Sequence, residues 1–279
     1  MTTSTTRSKE KQKQKRGMDG HETGRRNVRK RSVRRRGVRL WAVAFWLLVW
    51  QIAAMWIGQE ILLASPVSVL QRLFQLCLEG DFWASIAFSF VRIILGFLLA
   101  CLCGVIFAAV SSRFLRFREL LAPLMAVVKS TPVASFIILV LIWVPSRNLS
   151  IFISFLMVTP IIYANVLGGI EHTDRKLLEM ADVFRVPFGR RLRYIYLPQT
   201  MPFFRAACSV SLGLCWKAGV AAEVIGIPKG SVGERLYQAK IYLETPDLFA
   251  WTVVIILISL LFEKLFLFLL DLALHRFER

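Results

Sequence analysis

Residues 86–110 read IAFSFVRIILGFLLACLCGVIFAAV, twenty-five positions with one charge, Arg92. A helix rises about 1.5 Å per residue and a bilayer's hydrocarbon core is about 30 Å thick, so about 20 apolar residues cross it. This run is long enough, and it lacks the period-two alternation of a barrel strand. Five further runs share its character: Leu40–Ile57, Leu120–Val144, Leu149–Leu167, Ala206–Ala222 and Leu248–Leu270. The sequence therefore predicts an all-α, polytopic membrane protein with six transmembrane helices in residues 40–270.

Composition agrees. Of 279 residues 56% are apolar, while the formal charge is +18. That apolar content exceeds what one water-facing core buries, which excludes an ordinary cytosolic enzyme, a disordered chain and a secreted disulfide scaffold. The charge is concentrated: residues 1–39 hold fifteen Lys and Arg against three acids. With almost no large apolar side chains this segment cannot offset its ordering entropy, and it reads as a disordered basic tail. Beside a span, such a run serves as a topology signal and is drawn to anionic membrane lipids rather than to nucleic acid. It is too long for a signal-peptide n-region, and no small-residue cleavage site follows, so the first span reads as a retained anchor. Cys77, Cys101, Cys103, Cys208 and Cys215 show no CxxC spacing and no paired histidines, which argues against both a metal site and disulfides.

Orientation follows from Lys and Arg in the short loops. With the N-terminus inside, the tail, residues 111–119, residues 168–205 and residues 271–279 hold twenty-seven, against five outside. Both termini are therefore expected in the cytoplasm of a multi-pass cell-membrane protein, with 271–279 a cytoplasmic C-terminal tail. Ser65–Ser85 is too polar to span and reads as an amphipathic helix on the outer face, its Ser65-Pro66 start suited to a helix N-terminus. The third run contains Pro123 and Pro132, and Lys129-Ser-Thr-Pro132 interrupts it near the middle. Glu223–Asp247, with Gly226, Pro228, Gly230 and Gly233, reads as a folded external loop.

The cytoplasmic loop 168–205 carries the most specific pattern. Thr173 or Asp174 is placed to cap a helix in which Leu177, Met180, Ala181 and Phe184 form an apolar stripe, and Val186-Pro187 ends it. A second short basic helix, Phe188–Tyr196, runs to Leu197-Pro198, where the chain re-enters the membrane. Two short helices outside the bilayer, one with an apolar stripe, make a knob suited to a groove on a soluble partner.

Here the sequence resembles the permease subunits of ATP-binding-cassette importers, most closely the nitrate, taurine and aliphatic-sulfonate branch. The family pattern of Glu-Ala-Ala, three residues, Gly, then nine residues to Ile-x-Leu-Pro is met by Glu179-Met180-Ala181, Arg185 at the glycine position, and Ile195-Tyr196-Leu197-Pro198. Met180 and Arg185 depart from it. Thr131-Pro132-Val133-Ala134 with Leu141-Ile142-Trp143, Arg92-Ile-Ile-Leu-Gly96-Phe97, and Ala221-Ala222-Glu223 with Gly226, Gly230 and Gly233 are similar to other stretches of that branch. The resemblance implies a type I importer-permease fold and a non-catalytic permease. The implied partners are a second copy of the chain, a pair of ATPase subunits and an extracytoplasmic binding protein. It makes Leu177, Glu179, Met180, Ala181, Phe184, Arg185, Leu197 and Pro198 the ATPase-coupling residues. The chain has no Gly-x-x-x-x-Gly-Lys-[Ser/Thr] loop, so ATP and Mg would belong to the partner and no cofactor to this chain.

Ionisable groups inside spans each need a role. Arg92 lies near the outer end of its run, where snorkelling is favoured over contact with substrate. Lys129, beside Thr131 and Pro132, and Lys217, six residues before Glu223, admit two readings: pairs that fix helix packing, or charges lining a substrate path. In a homodimer they would set up to four positive charges around that path, which suits a small anion such as a sulfonate, taurine or nitrate. A neutral heterocycle stacked on Trp143 or Trp216 is the competing substrate. Three rival classes are a membrane-embedded enzyme, a scaffold acting through the basic tail, and a solitary channel. His21, His172 and His275 are scattered and no nucleophile elbow or HExxH is present, so the sequence holds no catalytic constellation.

Overall fold

A computed structural model of the protein describes residues 40–277; the predicted basic tail, 1–39, and the last two residues lie outside the described residues. The chain divides into two units, residues 1–47 and 48–279. Of the first, Leu40–Leu47 is described and opens helix α1, Leu40–Ile57. The second holds the rest of α1, then α2 (Pro66–Cys77), α3 (Gly80–Arg113), α4 (Leu115–Ser130) and α5 (Val133–Val140). They are followed by α6 (Ser146–Glu171), α7 (Arg175–Val183), α8 (Phe188–Gly226), α9 (Val232–Ile241) and α10 (Thr245–Phe277). No strand occurs among the described residues, as continuous apolar runs require.

Four helices are long and apolar enough to cross a membrane: α3, α6, α8 and α10. The α4–α5 pair makes a fifth if it counts as one span; it is bent by 108°. The six expected runs are thus helical, the third in two pieces. α1 holds 18 residues, Leu40–Ile57, as far as it is described, about 27 Å at the usual rise. The third is broken at Thr131-Pro132. Pro132 has no N–H for the ladder, and its ring pushes Thr131 to extended backbone at φ −77°, ψ 131°. Pro123, inside α4, does not break its helix.

α6 lies between α3 and α8 along most of its length. α3 buries a stripe of small residues (Ser85, Ser89, Gly96, Ala100, Gly104, Ala108, Ser111) at helical spacing. Lipid tails are as apolar as Leu, so helices in a bilayer gain by close backbone approach, which small residues permit. At Gly96 the approach is so close that an added Cβ would sit 2.4 Å from the Ile151 carbonyl oxygen. α3 and α6 run parallel, with Gly96 at Ile151 and Gly104 at Ile162, and α8 runs antiparallel to both. One end of the bundle therefore collects the starts of α3 and α6 with α9. The other collects the end of α6 with α7 and the start of α8.

Three sequence boundaries move. The expected amphipathic helix Ser65–Ser85 stops at Cys77, and Gly80 opens α3 with Asp81 in its first turn, where a carboxylate suits the positive helix end. Its start is as read: Ser65 Oγ accepts from the Ser68 N–H at 3.1 Å. The expected break at Leu197-Pro198 is absent, since Phe188–Gly226 is one helix of 39 residues. A wide π turn at Leu192–Tyr196, in which the Leu197 N–H reaches back to the Leu192 carbonyl, precedes Pro198 and accommodates its missing donor. Finally, α10 continues to Phe277, so the segment expected to be a tail from residue 271 is helical as far as it is described.

Candidate functional site

The knob is built by α7 and the first turns of α8. Asp174, not Thr173, caps α7: its carboxylate accepts from the Lys176 N–H at 2.9 Å, while Thr173 is buried. The turn that stops α7 runs through Phe184 to Arg185, whose φ of +48° is left-handed. The Val186 N–H there bonds the Ala181 carbonyl at 2.9 Å, the longer bond of a Schellman-type stop. Glycine takes that conformation without cost, so the family's glycine has a structural reason and Arg185 keeps the turn at some strain. Arg191 then clamps the two legs: it donates to the Val186 carbonyl at 2.7 Å, to the Ala181 carbonyl at 3.2 Å and to the Asp182 carboxylate.

The stripe is split by this clamp. Leu177, Met180 and Phe184 are exposed, and so are Val183 and Phe188, which no spacing argument singled out. Ala181 is 1% exposed and faces the second leg, so it is internal to the knob rather than on its contact surface. Glu179, Arg185 and Pro198 are exposed, and Leu197 is partly buried in α8.

At the bend, Thr131 Oγ1 donates to the Val127 carbonyl at 2.7 Å, which occupies the hydroxyl in holding the end of α4. Lys129 and Pro132 are exposed. Lys217 is exposed on α8, and Leu214 and Ala221, three before and four after it, share its helix face. Those two pack in one apolar cluster with Val128, Val133 and Ile137 of the bent pair. Both lysines thus border the same cluster, and neither has an ion-pair partner among the described residues. Trp143 is 71% exposed, whereas Trp216 is buried against Phe90, which removes it as a stacking surface.

Glu223 does not pair with Lys217. Six residues on a helix turn through about 600°, leaving the two side chains about 120° apart. Glu223 is instead fully buried and accepts from Ser89 Oγ at 2.6 Å and from the Gly233 N–H at 3.4 Å. Ser89 Oγ accepts in turn from the Val232 N–H at 3.0 Å. The first turn of α9 is thereby fastened to α3 and α8, and Gly233 permits it, since a Cβ there would lie 2.3 Å from that of Glu223. Sequence reading did not single out Ser89; the signal available was its place in the small-residue stripe of α3.

Two further pairs fasten the flank. Arg72 of α2 holds Asp247 of α10 through two donors, one of them at 2.9 Å, and that carboxylate keeps the guanidinium above its ordinary pKa. Arg205 of α8 grips Asp271 of α10 at 2.6 and 2.9 Å.

Comparison with known proteins accords with this architecture. The model of the family described as binding-protein-dependent transport system inner membrane component matches residues 96–279. The aliphatic sulfonates transport permease protein SsuC of Bacillus subtilis is similar at 26% identity, over 78% of this chain and 79% of that protein. The taurine transport system permease protein TauC of Escherichia coli is 24% identical over 77% of this chain and 80% of its own length. The nitrate import permease protein NrtB of Synechococcus elongatus is 26% identical over 69% and 72%. With a family match over most of its length and a bundle of apolar helices, this chain belongs to the inner-membrane components of binding-protein-dependent transport systems, the multi-pass permeases of ATP-binding-cassette importers.

Proposed function

We propose that the chain is the permease of an ATP-driven importer for a small oxyanion, a sulfonate, taurine or nitrate. It works as a homodimer. Two ATPase subunits, which bring the ATP and Mg, dock on the knob, and a binding protein delivers substrate at the opposite end. In this reading both termini and α7 are cytoplasmic and α9 is external, as the Lys and Arg asymmetry of the loops favours. The chain itself carries out no hydrolysis.

The observation that carries the reading is the knob: Leu177, Met180, Val183, Phe184 and Phe188 stand exposed on a short element that Arg191 clamps to the start of a 39-residue helix. Exposed apolar groups grouped on a rigid projection mark a protein interface. Because Arg191 ties α7 to the start of α8, a push on the knob displaces α8, whose far end bears Glu223 and α9. That rigid lever links ATP turnover at one end to the opening of a path at the other. The names of the relatives and the two lysines bordering the bend's cluster, without an ion-pair partner among the described residues, support the anionic class.

The test is uptake in cells expressing the chain with its ATPase and binding protein. Accumulation of ethanesulfonate, taurine or nitrate that requires both partners and ATP is the expected result. Uptake of a neutral heterocycle in preference would overturn the anionic class, and flux without the ATPase would make the protein a channel.

A further inference from the structure

At the α9 end of the bundle, residues of α3, α6 and the turn after α8 enclose a cleft of about 460 Å³ lined by Phe88, Ser146, Arg147, Ile227, Pro228 and Lys229. That volume is within the usual range for small-molecule sites. Its charged groups are of one sign. Arg147 and Lys229 are exposed and have no ion-pair partner among the described residues. Arg92 stands behind them, its guanidinium 3.8 Å from the centre of the Phe88 ring and donating to the Arg147 carbonyl. The carboxyl groups on the adjoining segment are turned to other donors: Glu223 to Ser89 and Gly233, and Glu234 to the Gly230 N–H at 2.6 Å. α6 also begins at this cleft, and its N-cap is Pro145, which offers no side-chain acceptor to the first turn. Two cations line one recess with no acid among its lining residues, an arrangement that favours an anion between them.

We propose that this cleft is a receiving site for the small oxyanion, separate from Lys129 and Lys217, in which Arg147 and Lys229 bind the anion and Arg92 positions Arg147. A planar or tetrahedral oxyanion accepts charge-assisted hydrogen bonds from a guanidinium and an ammonium together, and the Phe88 ring gives an apolar wall to the carbon end of a sulfonate. The assignment rests on the proposed orientation and on the oxyanion class.

The experiment uses the whole transporter, with Ser146→Cys in a cysteine-free background. Reaction of Cys at that position is timed with the anionic 2-sulfonatoethyl and the cationic 2-trimethylammonioethyl methanethiosulfonates. The anionic reagent should be favoured, and Arg147→Gln with Lys229→Gln should lower the anionic-to-cationic ratio about tenfold. Ethanesulfonate should slow labelling in the parent while ethanol does not. In uptake, the double Gln variant should raise KM for ethanesulfonate much more than kcat falls, and Arg147→Lys with Lys229→Arg, which keeps both charges, should raise it far less.

If the parent carries anions but the labelling ratio, the protection and KM are all unmoved in the double Gln variant, the cleft assignment is wrong while the importer reading stands. A parent that carries only neutral ligands removes the oxyanion class on which the cleft assignment rests. Loss of binding-protein-stimulated ATP hydrolysis without any effect on the labelling ratio would assign the cations to an acidic protein surface, against the proposal. Should the Gln variant fail to insert, protection by ethanesulfonate in the parent decides alone.

Discussion

Ser89 Oγ donates to Glu223 at 2.6 Å and accepts from the Val232 N–H at 3.0 Å, so one hydroxyl joins three helices. Ser89→Ala leaves a buried carboxyl group with the Gly233 N–H as its remaining bond and strands the Val232 donor, at a cost of about 1–3 kcal/mol. Gly233→Ala meets backbone as well as side chain, 2.4 Å from the Glu223 carbonyl carbon, and overpacking of that kind costs about 3 kcal/mol or more. Thermal unfolding in detergent should rank them, with Gly233→Ala the less stable. Equal stability to the parent in both would mean that α9 is not held at this point.

Single cysteines in a cysteine-free background report the topology, provided the sites are accessible. Ser231 and Thr173 are buried and would be silent on either side. Asn148, Lys240, Ser112 and Lys176 are exposed. In intact cells, Cys at 148 and 240 should react with an impermeant maleimide, and Cys at 112 and 176 should react only after permeabilisation. External labelling at 176 reverses the orientation and removes the knob from the ATPase side.

On the knob, side chains that face out and the one that faces in should behave differently. Phe184→Ala and Met180→Ala each remove exposed apolar area worth about 1.5–3 kcal/mol when buried by a partner, a loss of roughly tenfold to a hundredfold in ATPase affinity, with insertion unchanged. Ala181→Trp cannot fit beneath Arg191 and should unseat the whole knob, seen as increased proteolysis between Arg175 and Arg191. Retention of the ATPase by Glu179→Arg and Phe184→Ala together would show that this loop does not couple.

Arg185 holds φ +48°, a region that costs a side-chain-bearing residue about 1–2 kcal/mol. Arg185→Gly should therefore stabilise the α7 stop by about 1 kcal/mol, and amide exchange at 185 and 186 should slow roughly fivefold. Faster exchange in the glycine variant would contradict the left-handed stop.

Lys129→Met and Lys217→Met keep length and apolar character while removing charge. If both line the path of an anion, uptake should fall about tenfold or more in each, with ATPase assembly intact. Unchanged uptake in both returns the lysines to a packing role.

Continuous apolar runs and the uneven placement of Lys and Arg were enough to specify a helical membrane protein and its expected orientation, because span length and charge position are local properties of the chain. The Ser65 cap, the knob's apolar stripe and the weak point at Thr131-Pro132 were legible for the same reason: each depends on residues within one or two turns. What a break does was not legible. Pro132 bends its span by 108°, while Pro123, Pro160 and Pro202 sit inside continuous helices, because neighbouring packing decides whether a missing donor is absorbed. Spacing along one helix likewise placed Ala181 on an exposed stripe and Glu223 near Lys217. The second leg of the knob covers the first, and Ser89 from α3 with Gly233 from α9 claims the other. Those contacts join residues as far as 134 positions apart, and such pairings exist only once the helices have packed.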